Sequence, residues 1–356
     1  MGVTIHDVAR AAGVSVASAS RALSGRRKVT PEVAERVKQA AAELGYRPNA
    51  VAKALRDQTT GTIGMIVPGI GNPFFTTIVE AVERQLQRTG RDLLLCASLY
   101  TPEIEARRLN TLLARRVDGL IISPCDFEAS APAVLNAARQ VPLVQVDRYI
   151  EDGGADWVGV DDDSALAQAV DHVVAGGARS VVFVSSRLMN SSARLRLAGF
   201  QLATARAGIA SRPPLLGEFT LAWGFEAGQS LLAGDALPDA VVCGNDEIAV
   251  GMLRALRLGG VRVPEEISVV GLDDVGHATM CDPPLTTVRQ PVEEIAAEAV
   301  RLLGQVRLGD PRPAQRIAIA PRLVVRETSR PVTRDAATAG AGETMTGDGQ
   351  EGKETT

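Results

Sequence analysis

The chain has 356 residues, 46% of them hydrophobic and only 3% aromatic, with a net charge of −4; this is more than one ordinary domain and suits an α/β core. No apolar run approaches the ~20 residues of a membrane span, and Cys96, Cys125, Cys243 and Cys281 lie far apart with no C-x-x-C pair or nearby His, which argues against a metal centre or a disulfide framework. Charge is uneven: residues 1–60 carry ten Lys/Arg against five Asp/Glu, a net of +5 that leaves −9 for the remainder, the asymmetry expected of a nucleic-acid reader whose larger part avoids phosphate.

In chain order, Thr4 can cap a helix whose third residue, Asp7, answers the orphan amides; Ile5, Val8, Ala9 and Ala12 recur at helical spacing and Gly13 supplies a left-handed exit. Ser15 caps a second helix almost at once, with Val16, Ala19 and Leu23 on its inner face and Ala17, Ser18 and Arg21 outward. This is a helix-turn-helix. Ala-rich helix pairs joined by Gly also occur in ordinary cores. What favours DNA is the small polar outer face: Ala17, Ser18 and Ser20 let the backbone lie close to a groove floor, and Arg21 can fork onto guanine or phosphate.

Arg26-Arg27-Lys28 forms a basic loop, and Thr30-Pro31-Glu32 opens a third helix carrying Val33, Val37, Ala41 and Leu44 before Gly45 ends it. After Tyr46-Arg47-Pro48, Asn49 can cap a short segment, Val51 to Arg56. Helices below ~12 residues are marginal in water, so a hinge is expected here that is helical only when held.

From Thr62 apolar strands alternate with helices. Strands are expected at Ile63–Val67, Leu93–Cys96, Leu120–Ile122, Leu143–Val146, Val181–Val184, Ala240–Cys243 and Ile267–Val270, and helices at Phe75–Gln87, Glu103–Arg115, Leu166–Val174, Arg196–Ala207 and Glu247–Leu258. The alternation predicts parallel sheets covered on both faces, divided into two similar subdomains with a cleft between them. Ligands of such sheets lie beyond the strand carboxyl ends, which singles out Asn72, Ser123, Asp147, Arg148, Asn245 and Asp273. From Pro331 the chain is rich in Thr, Gly, Ala and Glu and is expected to be disordered.

These motifs together resemble the LacI/GalR family of bacterial transcription regulators. The likeness runs through Thr4-Ile5-His6-Asp7-Val8-Ala9, Ala12-Gly13-Val14-Ser15, Ser20-Arg21-Ala22-Leu23 and Leu44-Gly45-Tyr46-Arg47-Pro48-Asn49 in the head. Beyond it come Asn72-Pro73-Phe74-Phe75, Asn245-Asp246-Glu247-Ile248-Ala249 and Val269-Val270-Gly271-Leu272-Asp273-Asp274, so that residues 3 to 329 are covered. The resemblance implies a small all-α helix-turn-helix head (1–46), a hinge helix (47–60), an effector-binding and dimerisation unit (61–329) of two parallel-sheet subdomains of the periplasmic-binding-protein type, and a tail (330–356).

It further implies base reading by Val16, Ala17 and Arg21. Thr4, Ser15, Ser20, Ser24 and Tyr46 become phosphate or positioning contacts, and Leu55 a minor-groove wedge flanked by Asn49 and Ala52. The head departs from the family pattern at Ser18-Ala19, where Thr-Val is usual. Around the effector it places Phe74, Asp147, Arg196, Phe219, Asn245, Asp273 and Gln290, and Ser191-Ser192-Ala193-Arg194-Leu195-Arg196 is especially similar to sugar-responsive members. Planar donors and acceptors beside aromatic faces suit a polyol, although each of these residues could instead cap a strand end or helix start.

The function expected is a repressor of pseudo-palindromic operator DNA, controlled by a small polar effector, most simply a carbohydrate. It is expected to act as a cytoplasmic homodimer without cofactor or metal. A corepressor-dependent repressor or activator is the alternative within the family. A periplasmic sugar-binding protein is opposed by the basic head and the lack of a signal peptide. An enzyme is opposed by His6, His172 and His277 sitting in unrelated contexts with no nucleophile motif.

Overall fold

The computed structural model describes residues 3–24, 29–46, 59–151, 154–309 and 312–331. The expected hinge, with Asn49, Ala52 and Leu55, lies outside them, as does the chain from 332. The described residues form two units that divide between Gly61 and Thr62.

The first unit is the head: α1 (Ile5–Ala11), α2 (Val16–Ser24) and α3 (Pro31–Glu43). The Asp7 carboxylate accepts the Thr4 amide at 3.0 Å and its hydroxyl at 2.7 Å, an acid held where the helix dipole favours it. Gly13 turns the chain at φ +64, a conformation cheap only for glycine, and Ser15 Oγ then accepts the Ser18 amide at 3.1 Å to start α2. The core is Val8 and Val37 surrounded by Ala9, Ala12, Ala19, Ala22, Ala40 and Ala41. Small side chains let the three helices approach closely.

The second unit contains two sheets. In the first, β1 (Thr62–Val67), β2 (Asp92–Ala97), β3 (Gly119–Ile122), β4 (Leu143–Val146), β5 (Asp156–Val160) and β12 (Arg316–Ile319) run in the order β12-β5-β4-β3-β1-β2, every pair parallel. In the second, β6 (Ser180–Ser186), β7 (Ala210–Ser211), β9 (Ala240–Cys243), β10 (Ser268–Asp273), β11 (Thr286–Arg289) and β13 (Arg322–Val324) run in the order β13-β11-β10-β9-β6-β7, with β8 (Leu215–Gly217) also on β6. Only the β11–β13 pair is antiparallel among the pairs described.

Helices cover both sheets: α4 (Pro73–Gln87), α5 (Pro102–Ala114), α6 (Ala131–Ala138), α7 (Asp162–Ala175), α8 (Ser191–Ala207), α9 (Leu221–Leu232), α10 (Asp246–Leu258), α11 (Gly276–Met280) and α12 (Val292–Gln305). The chain passes between subdomains three times: from β5 into α7, from β11 into α12, and from β12 into β13. Accordingly Ile295, Ala299 and Leu302 of α12 share one core with Ile63, Met65 and Phe75 of the first subdomain.

Several elements depart from the sequence reading. Strands β5, β7, β8, β11, β12 and β13 and helices α6, α9, α11 and α12 were not among those named from the sequence. The α9 sequence Leu-Ala-Trp-Gly-Phe-Glu-Ala-Gly reads as broken by glycine, yet a Cβ at Gly224 would overlap the Ile248 carbonyl of α10 and one at Gly228 would crowd Ala255. The glycines permit helix contact here. Strand β10 begins at Ser268 and includes Asp273, so that acid ends the strand and does not follow it. Arg330, expected in the tail, is held within the second unit: its amide donates to Ser268 Oγ at 3.2 Å, and its guanidinium bonds the carbonyls of Pro264, Glu265 and Glu266.

Close helix approach makes a testable contrast between two glycines. A Cβ at Gly251 of α10 would overlap the Leu221 carbonyl and the Phe225 amide, whereas at Gly304 it meets nothing. Gly251→Ala is expected to cost roughly 1–3 kcal/mol by overpacking, and Gly304→Ala to leave the urea midpoint unchanged or slightly raised through helix propensity. Urea denaturation followed by far-ultraviolet circular dichroism compares the two.

Candidate functional sites

Residues at the strand carboxyl ends of both subdomains meet around one side chain. Arg196, from the first turns of α8, is buried. Its Nε donates to Asp162 Oδ1 at 3.0 Å and its Nη1 to the Gly244 carbonyl at 2.7 Å. Its Nη2 lies 4.0 Å from Asp147 Oδ1 and 3.9 Å from Asp273 Oδ1, near enough to attract but too far to be a hydrogen bond.

Asp147 follows β4 and Asp273 ends β10, corresponding places in the two sheets. Both hold positive φ, 59 and 124, which costs a residue with a Cβ roughly 1–3 kcal/mol, strain that clusters at functional sites. Asp147 accepts the Ser123 and Ser192 hydroxyls at 3.4 Å each, and its backbone carbonyl accepts the Trp157 indole at 3.2 Å. Gln290 donates its amide to Asp273 Oδ1 at 2.7 Å, leaving its own buried Oε1 without a partner.

Arg148 completes the lining. It is 4% exposed, lies 5.4 Å from the Phe75 ring and 5.7 Å from that of Phe219, and its Nε has no hydrogen-bond partner. The cavity left among Phe74, Asp147, Arg148, Arg196, Phe219 and Asp273 is only about 10 Å³. Bonds across the subdomains accompany this closure: the Phe127 amide donates to the Met189 carbonyl at 2.7 Å, the Tyr149 amide to Ser191 Oγ at 3.0 Å, and Arg194 to Glu128 at 2.9 Å.

Burial governs the electrostatics. It pushes the Asp162 carboxyl up to about 6 and that of Asp273 up to about 7, with Arg196 opposing in both cases. Burial and the charge of Asp273 hold Asp246 well above the carboxylate range, and Asp246 accepts the Thr287 hydroxyl at 2.5 Å and the Val275 amide at 2.9 Å. Burial depresses Arg148. Burial acts against the charge of Arg196 too, but Asp162, Asp273 and Asp147 together outweigh it and raise its pKa. The result is a dry ring of charged donors and acceptors beside aromatic faces, chemistry suited to paired hydroxyls.

Six of the seven cleft residues expected from sequence, Phe74, Asp147, Arg196, Phe219, Asn245 and Asp273, line this one cavity, and Gln290 joins through Asp273. Asn245 spends its Oδ1 capping α10 through the Ile248 amide at 3.0 Å. Sequence reasoning missed Asp162 and Ser192. The run Asp161-Asp162-Asp163 ahead of a helix was a usable signal: Asp161 caps α7 through Ser164 at 3.0 Å, and the next acid is thereby turned toward Arg196. Among the described residues no His, Cys, Asp and Glu side chains group to hold a metal, and no helix is long and apolar enough to cross a membrane.

In the head, Ala17 and Arg21 are exposed on α2, with Arg21 Nε donating to the Ala17 carbonyl at 3.1 Å. Val16, expected both on the inner face and among the base readers, packs half-buried on the margin of the head core, as does Tyr46. Thr4 and Ser15 engage in helix caps. Ser20 is half-buried, and the Ser24 side chain lies outside the described residues.

Residues 4–49 match the model of the bacterial regulatory proteins of the lacI family, and residues 170–329 that of a periplasmic binding protein-like domain. The ribose operon repressor of Escherichia coli (strain K12) is 34% identical over 91% of this chain and 98% of its own length. The transcriptional repressor PurR of Histophilus somni (strain 129Pt) is 32% identical over 91% and 98%. A crystal structure of the Lac repressor dimer bound to operator and the anti-inducer ONPF superposes with a TM-score of 0.84 at 31% identity, covering 92% of this chain and 99% of that one.

The raised carboxyls set a pH dependence. Unfolded aspartate titrates near 3.9, so between pH ~4 and ~7 the folded state binds more protons than the unfolded state, and Asp162 and Asp273 make stability fall as pH rises through that window. Asp273→Asn removes one of these groups. Its melting temperature is expected to decline less between pH 5 and 8 than that of the wild type, as measured by differential scanning fluorimetry.

Proposed function

The chain belongs to the lacI family of bacterial regulatory proteins, and on that premise we propose that it is a cytoplasmic, sequence-specific repressor whose operator affinity is set by a sugar or sugar derivative bound between its two sheets. The observation that carries the effector reading is the convergence on Arg196 of carboxylates from both subdomains. Hydroxyls that replace these long contacts with short ones favour one angle between the subdomains over another, and a ligand shifts an equilibrium only through such a difference.

The DNA contacts follow the head. Val16, Ala17 and Arg21 read bases, while Thr4, Ser15, Ser20, Ser24 and Tyr46 position the backbone. Leu55, flanked by Asn49 and Ala52, wedges a base step in the minor groove, which costs a few kcal/mol that added contacts recover. Two heads on a pseudo-palindromic operator require a dimer. The edge strand β2 supports one: it presents Leu94 and Leu95 at 38% and 41% exposure, apolar surface that a second copy would cover. Operator binding orders the two hinges, so effector-driven movement of the subdomains raises or lowers the cost of that ordering.

Selection of duplexes from a random pool, followed by gel shifts with and without a carbohydrate panel, tests the reading. Arg196→Ala is expected to weaken effector binding tenfold to a hundredfold, since a hydrogen bond to a charged group contributes ~1.5–3 kcal/mol, and to leave operator affinity within a few fold. Arg21→Ala is expected to do the reverse, costing ~1–3 kcal/mol at the operator. Leu55→Ala is expected to weaken specific binding and reduce the bend of the DNA. A parallel loss of both activities in Arg196→Ala, with a lowered melting temperature, would reduce Arg196 to a structural tie.

A further inference from the structure

We propose that the effector is two-ringed, a disaccharide or glycoside whose first ring meets Arg196, Asp147 and Asp273 and whose second ring fills a chamber on the other side of Arg148. The inference rests on the sugar reading of the cleft and specifies its size class. The chamber measures about 560 Å³, within the ~300–1,000 Å³ usual for small-molecule sites; the space beside Arg196 is about 10 Å³, room for no more than about one water, so the first ring enters only as the two subdomains move apart around it. Both subdomains build it: Tyr100, Cys125 and Arg148 come from the first, and Arg187, Met189 and Phe219 from the second. Arg148 and Phe219 line both spaces and so stand where the two adjoin.

The divider is itself incomplete. Arg148 Nε is buried without a hydrogen bond; Asp147 Oδ2, 3.6 Å away, attracts it but is too far to accept from it, and native structures rarely leave a buried donor so placed without a ligand, water or strain to explain it. A ligand threaded from the inner site to the chamber passes this nitrogen, and the oxygen that joins two sugar rings, or a hydroxyl beside it, supplies the acceptor. A single ring held at Arg196 leaves the chamber wet.

The chamber walls fit a second ring. Tyr100 is half exposed, and its ring lies against Gly69, where a Cβ would stand 2.8 Å from Cε2. Leu99 and Tyr100 hold φ values of 53 and 57, a turn of backbone that sets the direction in which the Tyr100 side chain leaves the chain. Tyr100 and Phe219 offer flat apolar faces, and Met189 adapts to shape. The exposed Arg187–Glu218 ion pair at the rim offers forked donors and acceptors to hydroxyls. A second chamber of about 440 Å³ also touches Phe74 and Asp273, but the only aromatic ring in its lining is that of Phe74, so it lacks the pair of flat faces that Tyr100 and Phe219 give the first.

The test is isothermal titration of the full chain, without DNA, with glucose, galactose, fructose and ribose and with maltose, cellobiose, lactose and sucrose. At least one disaccharide is expected to bind about tenfold or more tightly than its component sugars, a difference of one decade in Kd. Tyr100→Ala and Arg148→Met are each expected to cut that preference severalfold, and Tyr100→Phe to keep it; melting curves identify any variant that fails to fold. A monosaccharide that binds as tightly as every disaccharide, or a preference unchanged in folded Tyr100→Ala, overturns the two-ring assignment and leaves the sugar cleft standing. Binding by no carbohydrate of either size overturns the sugar reading and this assignment with it.

Discussion

A guanidinium buried among three carboxylates at the junction of two sheets is the constraint on which the second unit depends. Asp162, Asp273 and Asp147 hold the charge on Arg196 against burial, and Arg196 in turn opposes the burial that pushes up the carboxyls of Asp162 and Asp273. The partners are supplied by separate pieces of chain: the end of β4, the start of α7, the turn after β9 and the end of β10. Each must therefore be placed to within a fraction of a hydrogen-bond length, and the left-handed backbone at Asp147 and Asp273 shows local conformation yielding to that requirement. Buried ion pairs of this type contribute little net stability, because desolvation offsets attraction. Their effect is to fix which arrangement of the two subdomains is low in energy.

The same balance explains the division of labour between units. The head needs no buried charge: its core is two valines among alanines, sufficient to hold three short helices and leave α2 with a small, polar outer face. The second unit buries its charged cluster beneath aromatic rings and carries the net negative charge of the chain, which keeps it from competing with the head for phosphate.

Much of this was legible in the sequence, for identifiable reasons. Caps announce themselves locally, so Thr4-Asp7, Ser15 and Thr30-Pro31 mark the head helices, and short runs rich in β-branched residues, such as Val181–Val184, alternating with helical stretches point to buried parallel strands. Residues just past those runs lie at strand carboxyl ends by geometry alone, which is how Asp147 and Asn245 could be named. What could not be read depends on distant partners. The glycines of α9 look like breaks until α10 lies against them, and β12 and β13 are short edge strands with only partial burial. Arg148 could be placed past the end of β4, but its burial between the rings of Phe75 and Phe219 depends on a residue of the other subdomain and could not be read.

The three passages of the chain between subdomains bear on how the protein is made. Helix α12 and strand β12 belong to the first sheet in space but are synthesised after nearly all of the second subdomain. While a ribosome extends the chain from residue 161 to residue 291, the face of the first sheet that α12 covers stays open, and strand β5 keeps a bare edge until β12 follows at Arg316, since contacts this distant in sequence form late and slowly. The second subdomain, contiguous from α7 to β11 apart from its last edge strand, can assemble first, and the amino-terminal subdomain is then the one exposed to misassembly and edge-to-edge pairing in the nascent chain.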